Sequence, residues 1–182
     1  MVEFVTKAEL RNYASKMTVT EQATLRKVLA SRSLSGATFL SHSSKDDDLV
    51  VGATRVLEGH GATVYTDEVD PAMPPYTNEQ TANLLKQRIQ QSGKFVLLAS
   101  ANSKESKWVP WELGIADGYK GVDRIALFPA AESTTDTIWA SWEYLGLYRR
   151  IVWGKMQGEK DPLWMVHDWK RNTAVKLSSW LA

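Results

Sequence analysis

Short apolar runs and amphipathic segments alternate along the chain from about residue 37 onward. The apolar runs are ATFLS at 37–41, ATVYT at 62–66, FVLLAS at 95–100 and RIALF at 124–128. The segments between them carry apolar residues at helical spacing, over 45–58, over 78–91 and from about Pro110. This alternation predicts an α/β fold with a parallel sheet and helices on both of its faces.

Two further helices are predicted before the first strand. TKAE at 6–9 and TVTE at 18–21 both carry the capping-box pattern, in which a hydroxyl and a carboxylate satisfy each other's backbone amides. Leu25, Val28 and Leu29 then supply an apolar stripe at helical spacing. We therefore expect residues 1–35 to form an N-terminal helical extension.

The last third of the chain is rich in tryptophan. RRIVW at 149–153 predicts a fifth strand, which would close a domain over residues 36–153. Beyond it, Leu163, Val166 and Trp169 stand at helical spacing. We expect the aromatic segment 154–182 to pack on that domain, with a helix at these positions.

Composition excludes several classes of partner and chemistry. With 22 basic and 21 acidic side chains the net charge is +1, so no global field attracts nucleic acid or an anionic membrane. Cysteine is absent, which removes disulfides and thiolate chemistry and suits a reducing compartment. The N-terminus lacks a signal-peptide pattern and no run is long enough to span a bilayer, so we expect a cytoplasmic protein.

Ligands of an open parallel sheet bind beyond the carboxyl ends of its strands, so the loops at those ends are the candidate sites of chemistry. The first, SHSSKDDD at 41–48, predicts a helix start that suits phosphate oxygens and equally suits an ordinary cap. The second, DEVDPAMPPYTN at 67–78, is acidic, proline-rich and longer than a usual βα turn. Its carboxylates lack the calcium-loop pattern and the histidines are scattered, so no metal site is expected.

A glutamate flanked by tryptophans follows the third apolar run. Pro110 suits the first turn of a helix and places Glu112 in that turn, where the helix dipole favours a negative charge. We therefore expect this carboxylate to be ionised. Two interpretations stay open: Glu112 acts in a site, or it caps its helix while Trp108 and Trp111 pack in the core.

These segments together resemble the TIR domain, especially its bacterial form. The FLSHSSKD opening and the WVPWE element carry the resemblance jointly, since the latter fits the family's WxxxE pattern through Trp108 and Glu112. The resemblance covers about residues 37–153 and implies a flavodoxin-like fold with five parallel strands.

The resemblance also implies an activity. Many bacterial and plant TIR domains cleave the nicotinamide–ribose bond of NAD+, and the WxxxE glutamate, here Glu112, is their catalytic residue. NAD+ would then be a substrate, and no cofactor is expected. The substrate-binding residues carried over are Ser41, His42, Ser43, Lys45, Asp67 and Trp108. Such cleavage passes through an oxocarbenium-like centre that a nearby anion stabilises, and the cationic nicotinamide leaves without a general acid.

Similar stand-alone TIR proteins act in bacterial antiviral systems such as Thoeris, where a cyclic ADP-ribose signal activates a separate effector. The resemblance implies that role and self-association through TIR–TIR contacts. Two alternatives remain from the sequence. One is a non-enzymatic TIR adaptor, and the other is an N-glycoside enzyme similar to nucleoside deoxyribosyltransferases, which share a related fold and an active-site glutamate.

Overall fold

The computed structural model describes residues 2–67, 79–136 and 143–182, without the side chains of Glu143 and Tyr144. The strands are β1 Val2–Glu3, β2 Val5–Thr6, β3 Thr38–Ser41, β4 Val64–Tyr65, β5 Lys94–Ala99, β6 Ile125–Ala131, β7 Arg149–Gly154, β8 Leu163–Asp168 and β9 Thr173–Lys176. The α-helices are α1 Lys7–Ser15, α2 Val19–Ser31, α3 Asp47–Glu58, α4 Glu79–Gln91, α5 Ala101–Glu105, α6 Trp108–Lys120 and α7 Leu177–Leu181. Short 3-10 helices span Ser44–Asp46, Val122–Arg124 and Glu143–Leu147.

One sheet organises the molecule, in the order β4-β3-β5-β6-β7-β8-β9. Strands β4, β3, β5, β6 and β7 are mutually parallel. Strand β3, the first of these in the sequence, lies between β4 and β5, the second and the third. This is the flavodoxin-like order, so the predicted fold class and the five parallel strands are confirmed. The order also brings the ends of β3 and β5 side by side, which positions the first and third loops for a common site.

The parallel strands are buried on both faces, as their apolar runs predict. Phe95, Leu97 and Ala99 of β5 belong to one core cluster, together with side chains from α4 and α6. Val96 and Leu98 belong to the other, together with side chains from α1, α2, α3 and α7. The side chains of a strand alternate between the two faces of its sheet, so each face of β5 carries its own helical layer.

The segment after β7 is not the predicted helix. Leu163–Asp168 forms β8, antiparallel to β7, with Ile151 opposite Val166 and Trp153 opposite Trp164. β9 then pairs antiparallel with β8. The helical expectation was wrong because the short apolar run LWMV at 163–166 fits either period, and strand pairing also satisfies the backbone groups along the free edge of β7.

The two N-terminal helices begin at the predicted capping boxes. The hydroxyls of Thr6 and Thr18 accept from the amides of Glu9 and Glu21, whose carboxylates bond back to the cap residues. Not predicted were the two short strands before them. β1 pairs antiparallel with β7, while β2 pairs parallel with β6.

Helix α1 packs closely against α3 at Gly52. A Cβ atom placed on Gly52 would lie 2.0 Å from the carbonyl oxygen of Leu10, so only glycine permits this approach of the two backbones.

Within the described ranges, no helix is long and apolar enough to cross a bilayer.

Candidate functional site

A buried aspartate joins the first and third loops at the carboxyl edge of the sheet. Asp46 is 1% exposed and ends the 3-10 helix that follows β3. One of its carboxylate oxygens accepts from Ser100 Oγ at 2.5 Å, and the other from Asn102 Nδ2 at 2.6 Å. Because each bond crosses from the first loop to the segment after β5, Asp46 fixes the approach of β3 and β5 at this edge of the sheet.

A cleft of about 200 Å³ opens beside these loops. It is bounded by the start of α6, the first loop, the second residue after β4 and one face of α4. Its described lining is His42, Ser44, Asp67, Thr81, Leu85, Ser106, Trp108 and Glu112. The cleft therefore combines hydroxyl and charged groups with an aromatic wall.

Glu112 is buried at the base of this cleft, with 5% of its surface exposed. It is the fifth residue of α6, and Ser41 at the end of β3 donates from Oγ to its Oε2 at 2.6 Å. Among the described residues, the carboxylate bonds across to the sheet and not to the first amides of its own helix. The interpretation of Glu112 as a cap of its own helix is therefore wrong.

The pKa of the Glu112 carboxyl is raised from its ordinary value of 4.5 to about 8, mainly because the group is buried and secondly because Asp67 carries a nearby negative charge. The hydrogen bond from Ser41 and the positive charge of His42 oppose this shift. The raised pKa runs opposite to the expected ionised carboxylate, because burial disfavours the charge and because Glu112, expected in the first turn of α6, lies beyond that turn, where the helix dipole is weak.

His42 lies at the rim of the same cleft with its side chain buried. Its Nε2 is 3.6 Å from Asp47 Oδ1, and its Nδ1 lies 3.5 Å from the carbonyl oxygen of Leu40. Each ring nitrogen of His42 therefore faces an oxygen of the protein, and His42 lies close enough to Glu112 for its charge to act on that carboxyl.

The two tryptophans of the WVPWE element pack together. Their ring centroids are 5.1 Å apart in an edge-to-face arrangement, and both contact the core cluster under α4 and α6. Trp108 also lines the cleft, whereas Trp111 lies under the ammonium of Lys86 at 5.8 Å. The two rings therefore pack against the core as a pair, and Trp108 also forms part of the cleft wall.

Four of the predicted site residues meet around the cleft: His42, Asp67, Trp108 and Glu112. Ser41 lies behind them and contacts Glu112. The remaining two stand outside the described lining. Ser43 caps the 3-10 helix, and the exposed Lys45 pairs with Glu105 at 2.6 Å.

Three lining residues were not predicted for the site from the sequence, Thr81, Leu85 and Ser106, whereas Ser44 lies in the first loop that the sequence marked as a candidate. The spacing of Thr81 and Leu85, one turn apart on α4, places both on one helix face, but nothing in the sequence says that this face meets the cleft. The rest of the second loop, 68–78, lies outside the described residues. Over the described ranges, no three His, Asp or Glu side chains are grouped so that they could hold a metal ion.

Comparison with known proteins now defines the class of this protein. Residues 38–161 match the TIR domain family, and the chain belongs to that family. It is 32% identical over 146 residues to a Bacillus cereus (strain MSX-D12) protein named "Probable 3' cyclic ADP-D-ribose synthase ThsB'", covering 79% of this chain and 74% of the relative. It is also 33% identical over 78 residues to the Cytobacillus dafuensis protein "Putative cyclic ADP-D-ribose synthase TIR2", covering 41% of this chain and 21% of that relative.

Proposed function

We propose that this protein cleaves the bond between nicotinamide and ribose in NAD+, releasing nicotinamide and an ADP-ribose product that is cyclic or linear. The observation that carries the proposal is the buried Glu112 carboxyl, held by Ser41 in a cleft that Trp108 also lines. The names of the two relatives support a cyclic product. The cleft is smaller than the roughly 300 to 1,000 Å³ of typical ligand pockets, so it suits one end of a dinucleotide.

Glu112 has two tasks in this proposal. As the C1'–N bond breaks, the electron pair leaves with nicotinamide and positive charge develops on the ribose, where a carboxylate a few ångströms away stabilises it. The same carboxylate accepts hydrogen bonds from ribose hydroxyls. A nucleophile then bonds to C1' and loses its proton: water gives ADP-ribose, and a group of the substrate's own ADP portion gives a cyclic product.

Substrate binding should also lower the pKa of the Glu112 carboxyl. The pyridinium ring of NAD+ brings a positive charge next to Glu112, and an opposite charge at this distance lowers a carboxyl pKa. The substrate thereby favours the ionised form that the reaction uses.

We further propose that the product serves as a nucleotide signal to a separate effector in bacterial antiphage defence, and that TIR–TIR self-association accompanies activity. The resemblance to stand-alone TIR proteins and the names of the relatives support this role. The adaptor alternative predicts association without any product. The deoxyribosyltransferase alternative predicts turnover of deoxynucleosides instead.

The experiment that tests the proposal is product analysis of the purified protein with NAD+ at several protein concentrations. We expect nicotinamide in equal amount to a second product, whose mass and retention separate cyclic from linear ADP-ribose. Deoxynucleosides are run in parallel. Nicotinamide release that is absent at every protein concentration, with the protein folded, would contradict the proposal.

The pH dependence should report the ionisation of Glu112. We expect kcat/KM to rise with pH through a midpoint near 8, since it reflects the ligand-free enzyme, and kcat to have a lower midpoint. Ser41→Ala removes the hydrogen bond that favours the ionised form, so its kcat/KM midpoint should move to higher pH.

The control is Ser92→Ala. Ser92 is likewise buried and hydrogen-bonded, donating to the Ile89 carbonyl at 2.8 Å, but it precedes β5 at the opposite end of the sheet. Its profile should match that of the unmodified protein. A Ser41→Ala midpoint that stays in place, or moves to lower pH, would contradict the assigned role of Ser41.

A further inference from the structure

A second cavity, of about 250 Å³, lies between α1 and the part of the sheet where β1, β7 and β8 are adjacent. Four aromatic rings and two carboxylates line it. They are Glu3, Phe4, Glu9, Tyr13, Trp153 and Trp164. None of these residues belongs to the cleft around Glu112, and the proposed function does not use them.

Strand register puts three of these side chains on one face of the sheet. Glu3 of β1 lies opposite Trp153 of β7, and Trp153 lies opposite Trp164 of β8. Residues directly opposite in neighbouring strands project to the same side. Glu9 and Tyr13, one turn apart on α1, share a helix face and form the other wall.

The walls of the cavity are held in place by their own contacts. The rings of Trp153 and Trp164 meet at 67° with centroids 5.6 Å apart, and Trp164 meets the core residue Phe128 edge to face at 5.6 Å. The Glu9 carboxylate is fixed because its Oε2 accepts from Thr6 N at 2.7 Å and from Thr6 Oγ1 at 2.8 Å. A ligand would meet this arrangement already formed, which reduces the entropy lost on binding.

The chemistry of the lining selects one class of ligand. Aromatic faces attract cations, and two carboxylates repel phosphate groups, so a nucleotide does not suit this cavity. The size of the cavity fits a small, compact cationic group. Tyr13 already has a cation near its ring, since the ammonium of Lys16 lies 5.2 Å from the ring centroid, although Lys16 does not line the cavity.

We propose that this cavity is a binding site for a small organic cation, with an alkylammonium group seated against Trp153 and Trp164 and balanced by Glu3 and Glu9. Such a ligand would bridge α1 and β8, and would therefore tie the N-terminal helix to the C-terminal strands. The proposal is independent of NAD+ cleavage, because its test measures binding alone.

The test is a titration of the full-length protein with tetramethylammonium chloride, followed by NMR of the tryptophan indole N–H groups. Two probes serve as references: tert-butanol, which has a similar shape without charge, and sodium chloride at equal ionic strength. We expect saturable shifts of the Trp153 and Trp164 signals with tetramethylammonium only. Equal binding of tert-butanol, or no saturable shift at either indole, would overturn the proposal.

Variants locate the binding. Trp153→Ala should weaken tetramethylammonium binding about 5-fold or more, and the isosteric Glu3→Gln, which leaves the ring packing intact, about 2- to 3-fold. The matched control is Trp169→Ala, because Trp169 is 43% exposed against 38% for Trp153 and also has cations near its ring, at 5.0 and 5.8 Å. Binding that falls in the Trp169→Ala variant and persists in the other two would place the cation elsewhere and overturn the assignment.

Discussion

Glu112→Gln is expected to lower the rate of nicotinamide release from NAD+ by at least about 1,000-fold, the upper end of what loss of one preorganised electrostatic group costs. Glutamine keeps the size of the side chain and can still contact Ser41, which lies 2.6 Å from the native carboxylate. It cannot carry the negative charge that stabilises the developing ribosyl cation. Chromatographic measurement of nicotinamide over a range of NAD+ concentrations gives kcat and KM for both proteins.

The same variant should not be less stable than the unmodified protein. The folded state raises the Glu112 pKa from 4.5 to about 8, so it favours the protonated carboxyl, and folding stability falls as pH rises through this window. Glutamine does not ionise and escapes that loss. At pH values above about 8, the melting temperature of Glu112→Gln should therefore equal or exceed that of the unmodified protein.

Glu132→Gln provides the matched control for activity. Glu132 is an exposed glutamate that follows β6 and pairs with Lys7 at 2.6 Å, outside the described lining of the cleft. Its substitution should leave nicotinamide release unchanged. Full activity in Glu112→Gln would exclude Glu112 as the catalytic residue, and a loss of activity together with a fall in melting temperature would point to a structural role instead.

Gly52→Ala is expected to be the most destabilising small substitution in the described part of the N-terminal half. The added Cβ would lie 2.0, 2.6 and 2.9 Å from the carbonyl oxygen, carbonyl carbon and Cα of Leu10, all backbone atoms that cannot rotate away. Helices α1 and α3 must separate, which removes Leu10 from a fully buried position. We expect a loss of at least about 3 kcal/mol, comparable to large core substitutions.

Thermal unfolding monitored by circular dichroism measures this effect. A loss of 3 kcal/mol corresponds to roughly 6–12 °C in the melting temperature of a chain of this length. Limited proteolysis should also cleave the α1 segment earlier than in the unmodified protein, because α1 is the helix that is displaced.

The matched control is Gly118→Ala in α6, where an added Cβ meets nothing within 4 Å. Alanine in a helix interior is favoured over glycine by roughly 0.5–1 kcal/mol, so this variant should be as stable as the unmodified protein or slightly more so. If Gly52→Ala melted within 1–2 °C of Gly118→Ala, the close packing of α1 on α3 would be refuted.

The parts of the fold that could be predicted are those specified by local pattern. The apolar run that becomes β5 is long enough, and flanked clearly enough, to indicate a buried strand. The capping boxes at Thr6 and Thr18 predict where α1 and α2 begin, because the hydroxyl and the carboxylate of each box lie three residues apart in the sequence. In contrast, β1 and β2 have two residues each and exist only through partners more than 100 positions away, which no local pattern reports.

In the candidate site, too, the features specified by local pattern could be predicted and those that depend on distant residues could not. The WVPWE element and the polar loop after the first strand place Trp108, Glu112 and His42 near one edge of the sheet, given the α/β alternation. The raised pKa of Glu112 was not predictable, because it depends on the depth of burial, on Asp67 and on Ser41, 71 residues away. The link that Asp46 forms to Ser100 and Asn102 is also non-local, and an acidic residue near a helix start looks like an ordinary cap from the sequence alone.

The pairing of β1 with β7 has a consequence for the order in which the chain folds during synthesis. Val2 and Glu3 are synthesised well before their partners, Gly154 and Trp153, which lie far along the chain. The strands β3 to β6 can assemble on the nascent chain while β1 has nothing to pair with. Strand β1 thus finds its place only after β7 has been synthesised, and this part of the sheet is completed late.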